Sequence, residues 1–235
     1  MRVCVIIPIL QNDFFEEITE REFKAYARPG TEIKVVSLEK GPASIESMYD
    51  EHISAPWTLE KVKLAEEEGY DAVIIDCMGD PALHAAREIA DIPVIGPAEA
   101  SMAMACIIGH RFSVVTVLQS VVPIFNKMVA AYGFKDRFAS VRSIDIPVLE
   151  LDREDEVKEG LAVESRKAID EDGADLIILG CTGMIGMAKE LEKKLRVPVI
   201  DPTAAALKMA ESMVDLGFSH SKLTYPKPPD KVRKM

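Results

Sequence analysis

The sequence lacks most of the motifs that identify cofactor-dependent and metal-dependent proteins. It has neither a GxGxxG nor a GxxxxGK[ST] loop, so nothing in it supports a dinucleotide site or a P-loop. It has no HExxH motif, and its four histidines show no metal-ligand spacing. None of its four cysteines forms a CxxC pair, which disfavours zinc ribbons and thioredoxin-like folds. We therefore expect neither a metal nor a cofactor.

Long apolar runs and an excess of basic residues are absent too. No run approaches the ~18 apolar residues that a membrane span requires, and no charged-then-apolar segment precedes the first predicted strand. The formal net charge is −11 and the pI is about 5.0, which argues against nucleic acid or an anionic membrane as a partner. We expect a cytoplasmic protein, in a homo-oligomer, that acts on a small molecule.

The sequence does contain an internal repeat. Residues 69–79 and 173–183 both read Gly-x-Asp, four apolar residues, one variable residue, Cys, one variable residue and Gly. Four consecutive apolar residues suit a parallel strand that is buried on both faces. Cys77 and Cys181 then lie at the carboxyl ends of their strands, the edge at which open α/β sheets bind ligands.

The repeat extends well beyond the two cysteines, because a helix, an extended segment and an alanine-rich helix follow each of them. Two homologous α/β units explain this better than chance similarity does. We predict an α/β fold of two similar lobes, each a mainly parallel sheet flanked by helices, related by a pseudo-twofold axis with the active site in the cleft. The first lobe would comprise residues 1–97 and 205–235, and the second residues 98–204. The predicted strands or extended segments are 3–9, 32–37, 72–75, 92–97, 112–117, 142–147, 176–179 and 197–202, and the predicted helices are 11–27, 57–68, 81–90, 98–108, 122–132, 154–172, 184–195 and 203–216.

Local signals refine the surroundings of the two cysteines. Asp80 before Pro81 predicts a capped helix directly after Cys77, and Thr182 is the corresponding cap after Cys181. A nearby helix N-terminus favours thiolate. The two other cysteines lie in an apolar strand and an apolar helix, so we interpret Cys4 and Cys106 as small core residues and His84 as a surface helix residue.

Two opposed thiols in symmetric halves suit a reaction that is itself nearly symmetric. In racemisation next to a carbonyl, one thiolate removes a proton from one face of the carbon and the opposite thiol returns one to the other face. Backbone amides of the two Cys-x-Gly turns are candidate donors to the carbonyl oxygen. Two alternatives stay open: a pair of buried structural thiols, and a two-lobed small-molecule sensor without catalysis.

Several motifs together resemble the aspartate/glutamate/hydantoin racemase superfamily, most closely its hydantoin and allantoin racemase branch. These motifs are Gly41–Glu46, Tyr49–Glu51, Cys77–Pro81, Val94–Gly96, Glu99–Ala100, Gly109–Thr116, Gly180–Met184 and Pro198–Asp201. The resemblance implies the two-lobed fold, a cofactor-independent mechanism and Cys77 and Cys181 as the two bases. It also implies a substrate pocket, which we expect to be lined by Pro8, Ile9, Ala43, Ser44, Met78, Gly79, Thr116, Thr182 and Gly183.

One stretch departs from that branch. Ile7-Pro8-Ile9-Leu10 stands where the hydantoin branch usually has Asn-Pro-Asn-Thr, so polar groups that would hold a substrate ring are missing. An apolar wall there favours a 5-alkyl or 5-aryl hydantoin, or another carbonyl compound. An aspartate or glutamate racemase is the alternative, but no polar pair near Ile9 and Leu10 would hold a free amino acid. The superfamily's arylmalonate decarboxylase keeps only the second cysteine, so the presence of both favours a racemase.

Overall fold

A computed structural model describes residues 1–233 as two sheets of four parallel strands, each covered by helices. Along the chain, the elements of the first half are β1 (Arg2–Leu10), α1 (Asp13–Tyr26), β2 (Glu32–Leu38), α2 (Met48–Glu67), β3 (Ala72–Ile75), α3 (Leu83–Ile89), β4 (Val94–Ile95) and α4 (Pro97–Ile108). Those of the second half are β5 (Phe112–Thr116), α5 (Val122–Ala131), β6 (Phe138–Ser143), α6 (Glu154–Asp170), β7 (Leu176–Leu179), α7 (Ala188–Leu195), β8 (Val199–Ile200) and α8 (Pro202–Asp215).

The two sheets have the same strand order, which confirms the predicted repeat. The first is β2-β1-β3-β4 and the second β6-β5-β7-β8, with every pairing parallel. All residues of β3 and of β7 are buried, as expected of central strands covered by helices on both faces. Because both strands end just before a cysteine, Cys77 and Cys181 lie at the carboxyl edges of the two sheets.

Helices α4 and α8 join the two lobes by packing against each other. Helix α8 also contacts β3 and β4 of the first sheet, whereas α4 contacts β5 and β7 of the second. On these contacts we propose that residues 1–97 and 205–235 form the first lobe and residues 98–204 the second. Residues 234 and 235, which this division assigns to the first lobe, lie outside the described residues.

Most predicted elements agree with the structure to within a few residues, but two differ more. Strand β6 spans Phe138–Ser143 rather than residues 142–147, because its residues are all half-buried at the sheet edge and give no clear apolar run. Helix α2 begins at Met48 rather than Trp57. The Ser47 side chain caps it by accepting a hydrogen bond from Asp50 N, and Pro56 is accommodated inside the helix.

The segment after α8 lies against the edge of the first sheet. His220 Nε2 accepts a hydrogen bond from Val94 N at 2.8 Å, so a side chain takes the place of a further strand beside β4. Lys227 pairs with Asp91, and this contact anchors the start of the basic tail on its own lobe. In the part of the chain that the structure describes, no helix is long and apolar enough to cross a membrane.

Candidate active site

A cavity of about 860 Å³, measured to include its open mouth, lies between the carboxyl edges of the two sheets. Both Cys77 and Cys181 line it, as the sequence predicted. Of the predicted pocket residues, Pro8, Ile9, Met78, Gly79, Thr116, Thr182 and Gly183 also line it. Ala43 and Ser44 are not among the lining residues; their neighbour Ile45 is. The Ser44 hydroxyl instead donates a hydrogen bond to the Glu46 carboxylate, which holds it within the loop.

Each cysteine receives a hydrogen bond from the glycine of its own turn. Gly79 N donates to Cys77 Sγ and Gly183 N to Cys181 Sγ, both at 3.4 Å. These two amides therefore stabilise thiolate rather than a substrate carbonyl. The amides of the middle residues, Met78 and Thr182, have no acceptor among residues 1–233 and are the turn amides left for a ligand.

Helix N-termini do not assist the thiolates, contrary to the sequence prediction. Helix α3 begins at Leu83 and α7 at Ala188, each more than a turn beyond its cysteine. Asp80 does not cap α3: its carboxylate accepts hydrogen bonds from Ala98 N and Glu99 N at 3.0 Å and so caps α4. Thr182 does not cap α7 either, because its hydroxyl donates across the cleft to Asp76 O at 3.3 Å.

Burial raises the pKa of both thiols and so favours their protonated form. Burial raises the pKa of Cys181 to about 12 against the opposing effect of the Gly183 amide, and the charges of Asp76 and Glu46 raise it further. The pKa of Cys77 is raised well above its usual value, first by burial and then by Cys181, Glu51 and Asp80. Because each thiolate disfavours the other, the pair holds at most one negative charge. One thiolate facing one thiol is the state that a two-base proton transfer uses.

Two carboxyl groups in the cavity wall were not predicted from the sequence. Glu51 Oε1 lies against Gly79, where a Cβ atom would clash with it, and Asp76 Oδ1 lies beside the interlobe contact. Both oxygens are buried and have no hydrogen-bond partner among residues 1–233. Burial raises both pKa values to about 7, and for Asp76 the charge of Asp201 contributes. An aspartate placed between the apolar strand β3 and a cysteine was the sequence signal for Asp76.

Apolar side chains form most of the remaining wall. Ile7, Pro8 and Ile9 contribute from β1, where the sequence predicted an apolar wall. The other apolar lining residues come from α1, from the start of the second lobe and from loops: Phe15, Ile18, Ile45, Val117, Val121, Ile124, Phe125, Val148 and Ile185. Among the described residues 1–233, no lysine or arginine lines the cavity, so none of these residues offers a cationic side chain to an anionic ligand.

The other candidate residues lie outside the cavity. Cys4 is buried in β1, where burial raises its pKa to about 12, and Cys106 is half-buried on α4. His84 is exposed on α3, with its ring near those of Tyr132 and Tyr225. Among residues 1–233, no three His, Cys, Asp or Glu side chains are arranged to hold a metal ion.

Comparisons with known proteins agree with this architecture. Residues 12–210 match the family model described as Asp/Glu/Hydantoin racemase. The chain is 47% identical to the hydantoin racemase of Pseudomonas sp. (strain NS671), over 90% of this chain and 86% of that protein. It is 38% identical to the hydantoin racemase of Paenarthrobacter aurescens, over 98% and 99% of the two chains. The solved structure of allantoin racemase from Klebsiella pneumoniae superimposes with a TM-score of 0.94 at 41% identity, covering 100% of this chain and 96% of that one.

Proposed function

The chain belongs to the Asp/Glu/hydantoin racemase family, and from this premise we propose that it racemises 5-substituted hydantoins without a cofactor, with Cys77 and Cys181 as the two bases. One observation carries the proposal. Two thiols on symmetry-related turns line a single cavity, and each accepts a hydrogen bond from the glycine amide of its own turn. That arrangement supplies two proton carriers at equivalent positions of the two halves.

The reaction at C5 of the ring is a proton exchange between two faces. One thiolate removes the C5 proton, and the electron pair of the C–H bond moves into the ring as an enolate. The opposite thiol then delivers its proton to the other face of C5, so one cysteine ends protonated and the other ends as thiolate. The free amides of Met78 and Thr182, at equivalent points of the two turns, are donors for the ring oxygens.

The apolar wall favours hydantoins with an alkyl or aryl group at C5. A benzyl or isobutyl substituent would contact side chains such as Ile9, Phe15 and Phe125 and leave water, at about 25 cal/mol for each Å² buried. The ureido group of allantoin would lose its hydrogen bonds to water against the same wall. We therefore propose apolar 5-substituted hydantoins as better substrates than allantoin.

The cavity argues against the amino-acid racemase alternative. A free amino acid brings a carboxylate into the site, and within the described part of the chain no lysine or arginine lines the cavity to pair with it. Two carboxyl groups, Asp76 and Glu51, line it instead. A neutral ring with N–H groups suits this environment better than an anion does.

The decisive experiment is proton NMR of pure L-5-benzylhydantoin in heavy water, with the purified protein, followed in parallel by polarimetry. We expect the C5 proton signal to disappear and the optical rotation to decay to zero. Allantoin, L-aspartate and L-glutamate serve as comparison substrates and should react more slowly. A protein that binds the hydantoin but leaves its C5 proton in place would be a sensor, and the proposed function would be wrong.

We also propose that the protein works as a homo-oligomer. The end of α4 and the segment just after α8 expose large apolar residues, with Ile107 88% exposed and Phe218 61% exposed. Exposed apolar residues of this kind favour contact with another subunit. Sedimentation velocity would test this, and a mass of one chain at working concentration would contradict it.

A further inference from the structure

The proposed mechanism leaves two carboxyls of the cavity wall without a role, Glu51 and Asp76, and Asp76 is the one next to a catalytic cysteine in the chain. This residue is 5% exposed and stands between β3 and Cys77, on the side facing the second lobe. The Thr182 hydroxyl, next to Cys181, donates to its backbone carbonyl, so Asp76 lies where the two cysteine turns meet. Its Oδ1 is buried and has no hydrogen-bond partner among residues 1–233.

A buried polar atom without a hydrogen-bond partner destabilises a folded protein. The buried carboxyls of Asp80 and Asp201, outside the cavity, avoid this penalty: Asp80 accepts from two amides and from Tyr132, and Asp201 accepts from Thr203 N and from Tyr26. Asp76 Oδ1 makes no such contact, although Asp76 is one of the residues that line the cavity. A bound ligand could therefore supply the missing hydrogen-bond partner of the Asp76 carboxyl.

The surroundings of Asp76 keep its carboxyl mostly neutral below about pH 7. The titratable groups that face it are Asp201 and Glu22, and on the cavity side Cys181; none is cationic. Burial and the Asp201 charge raise its pKa to about 7, against a smaller opposing effect of the Thr182 hydroxyl. A neutral carboxyl is a hydrogen-bond donor, whereas an ionised one only accepts.

A donor at this place would assist racemisation together with the Met78 and Thr182 amides. Negative charge develops on the carbonyl oxygen next to C5 as the proton leaves, and donors that point at that oxygen lower the barrier. The Gly79 and Gly183 amides are engaged with the two sulfurs. An ionised carboxylate at residue 76 would instead repel both the enolate and a thiolate at Cys181.

We infer, on the basis of the proposed function, that neutral Asp76 is a third catalytic residue, which donates its carboxyl proton in a hydrogen bond to the substrate carbonyl oxygen next to the reacting carbon. The proton stays on Asp76 throughout, so the two thiols alone exchange protons with C5. The residue acts by stabilising the enolate and contributes mainly to kcat.

The test compares two replacements of the same residue with 5-benzylhydantoin as substrate. Asp76→Asn keeps a donor of the same size and cannot ionise, whereas Asp76→Ala removes the donor. We expect Asp76→Ala to lower kcat roughly 10²–10³-fold, as the loss of an oxyanion donor does elsewhere, with a small change in KM. Asp76→Asn should retain kcat to within about tenfold. Glu22→Gln, in the same buried acidic group but outside the cavity, is the matched control and should remain close to the wild type.

The pH profile gives a second readout that a merely structural role would not change. In the wild type, kcat/KM should fall as Asp76 ionises above about pH 7, against the rise expected from thiolate formation. Asp76→Asn should lose that fall and keep the rise.

The outcomes separate this inference from the proposed function. A wild-type protein that exchanges no C5 proton would overturn the proposed function, and the role of Asp76 with it. An active wild type with an equally active, folded Asp76→Ala variant would overturn only the role of Asp76. Equal loss in Asp76→Asn and Asp76→Ala would also overturn it, because it would mean that the ionised carboxylate is required. Circular dichroism and thermal unfolding of each variant establish that it is folded.

Discussion

The two cysteine turns have the same backbone plan and very different electrostatics. In the first lobe Asp76 precedes Cys77, Asp80 follows three residues later, and Glu51 lies against the turn glycine. At the corresponding positions of the second lobe, Gly180 precedes Cys181 and Met184 follows it. The two repeats therefore share the position of the cysteine sulfur but not the charged groups that shift the pKa of its thiol.

Thermodynamics limits how a difference between the two thiols can affect the two directions of racemisation. The two enantiomers have equal free energy in water, so kcat/KM must be the same for both directions whatever the pKa of each thiol. Unequal thiols can make kcat and KM differ between the two enantiomers, but only by the same factor. The comparison of the two lobes is therefore most informative in variants that retain one thiol, or that exchange a feature of one lobe for that of the other.

The largest expected effect is the loss of either thiol. Cys77→Ser and Cys181→Ser should each lower racemisation by at least ~10³-fold, because a serine hydroxyl is far too weak a base at neutral pH. Each variant keeps one thiol, which still exchanges the C5 proton of one enantiomer with deuterium. Since the thiols face opposite sides of C5, the two variants should select opposite enantiomers.

This experiment uses proton NMR in heavy water with each pure enantiomer of 5-benzylhydantoin. Cys106→Ala, a thiol outside the cavity, is the matched control and should retain activity. Selection of the same enantiomer by both serine variants would contradict a mechanism with two opposed thiols.

A smaller effect is expected from exchanging the helix caps of the two lobes. Asp201 caps α8 from its own N-terminus, whereas Gly96 stands at that position before α4 and Asp80 supplies the carboxylate from the cysteine turn. A Cβ at residue 96 would lie 2.5 Å from Asp80 Cγ. Gly96→Asp should therefore destabilise the protein by about 2–4 kcal/mol through overpacking and repulsion.

The same substitution in an Asp80→Ala background should cost much less, because the new aspartate then caps α4 as Asp201 caps α8. Urea unfolding of the four proteins of this double-mutant cycle measures the coupling between residues 80 and 96. Additive effects of the two substitutions would show that the two lobes do not use interchangeable caps.

A third difference should be seen in the pH dependence of stability. Asp76 has no titratable counterpart at Gly180, and it keeps its proton to about pH 7 in the folded protein but releases it near its usual pKa of 3.8 when unfolded. The folded state thus binds more protons in this window, and stability falls as pH rises from about 4 to about 7. The fall is at most about 1.4 kcal/mol per pH unit from this residue.

Asp76→Asn should remove this contribution. The difference in unfolding free energy between Asp76→Asn and the wild type should therefore grow over the same pH range. Chemical unfolding at pH 4, 5.5 and 7 measures it, and a constant difference would mean that Asp76 has the same pKa in both states.

The smallest expected effect is a difference in thiol reactivity. Besides burial, the charges of Cys181, Glu51 and Asp80 raise the pKa of Cys77, whereas those of Asp76 and Glu46 raise that of Cys181, and we expect the larger acidic group around Cys77 to leave Cys181 the more reactive thiol. With limiting iodoacetamide in a Cys106→Ala background, peptide mapping should find Cys181 modified several-fold faster. Faster modification of Cys77 would mean that the acidic groups of the first lobe do not control thiol acidity.

The sequence predicted the features that a single chain segment carries by itself. Strands β3 and β7 are unbroken apolar runs that end in cysteine, so their burial and the place of both thiols could be predicted. Strand β6 could not be placed correctly, since half-buried edge residues give only a weak pattern.

Features that depend on contacts between distant segments could not be predicted. Asp80 and Thr182 look like caps of the helices that follow them, yet Asp80 caps α4 and Thr182 contacts the other lobe. The same limit applied to the site. The loop residues Ala43 and Ser44 were expected in the pocket, whereas Glu51, from helix α2, lines it because Gly79 leaves room for its carboxyl.

The position of α8 also governs when the first lobe is completed during synthesis. Its four strands have been made once residue 95 is added, but α8 and the segment around His220 that cover them come at the other end of the chain. At 5–20 residues per second the ribosome needs on the order of ten seconds to bridge that interval. The second lobe consists of consecutive elements, from α4 to β8, and all of them have been synthesised before α8. The nascent chain therefore exposes the apolar face of β3 and β4 for the longest time. We expect a chaperone to bind the nascent chain at this face.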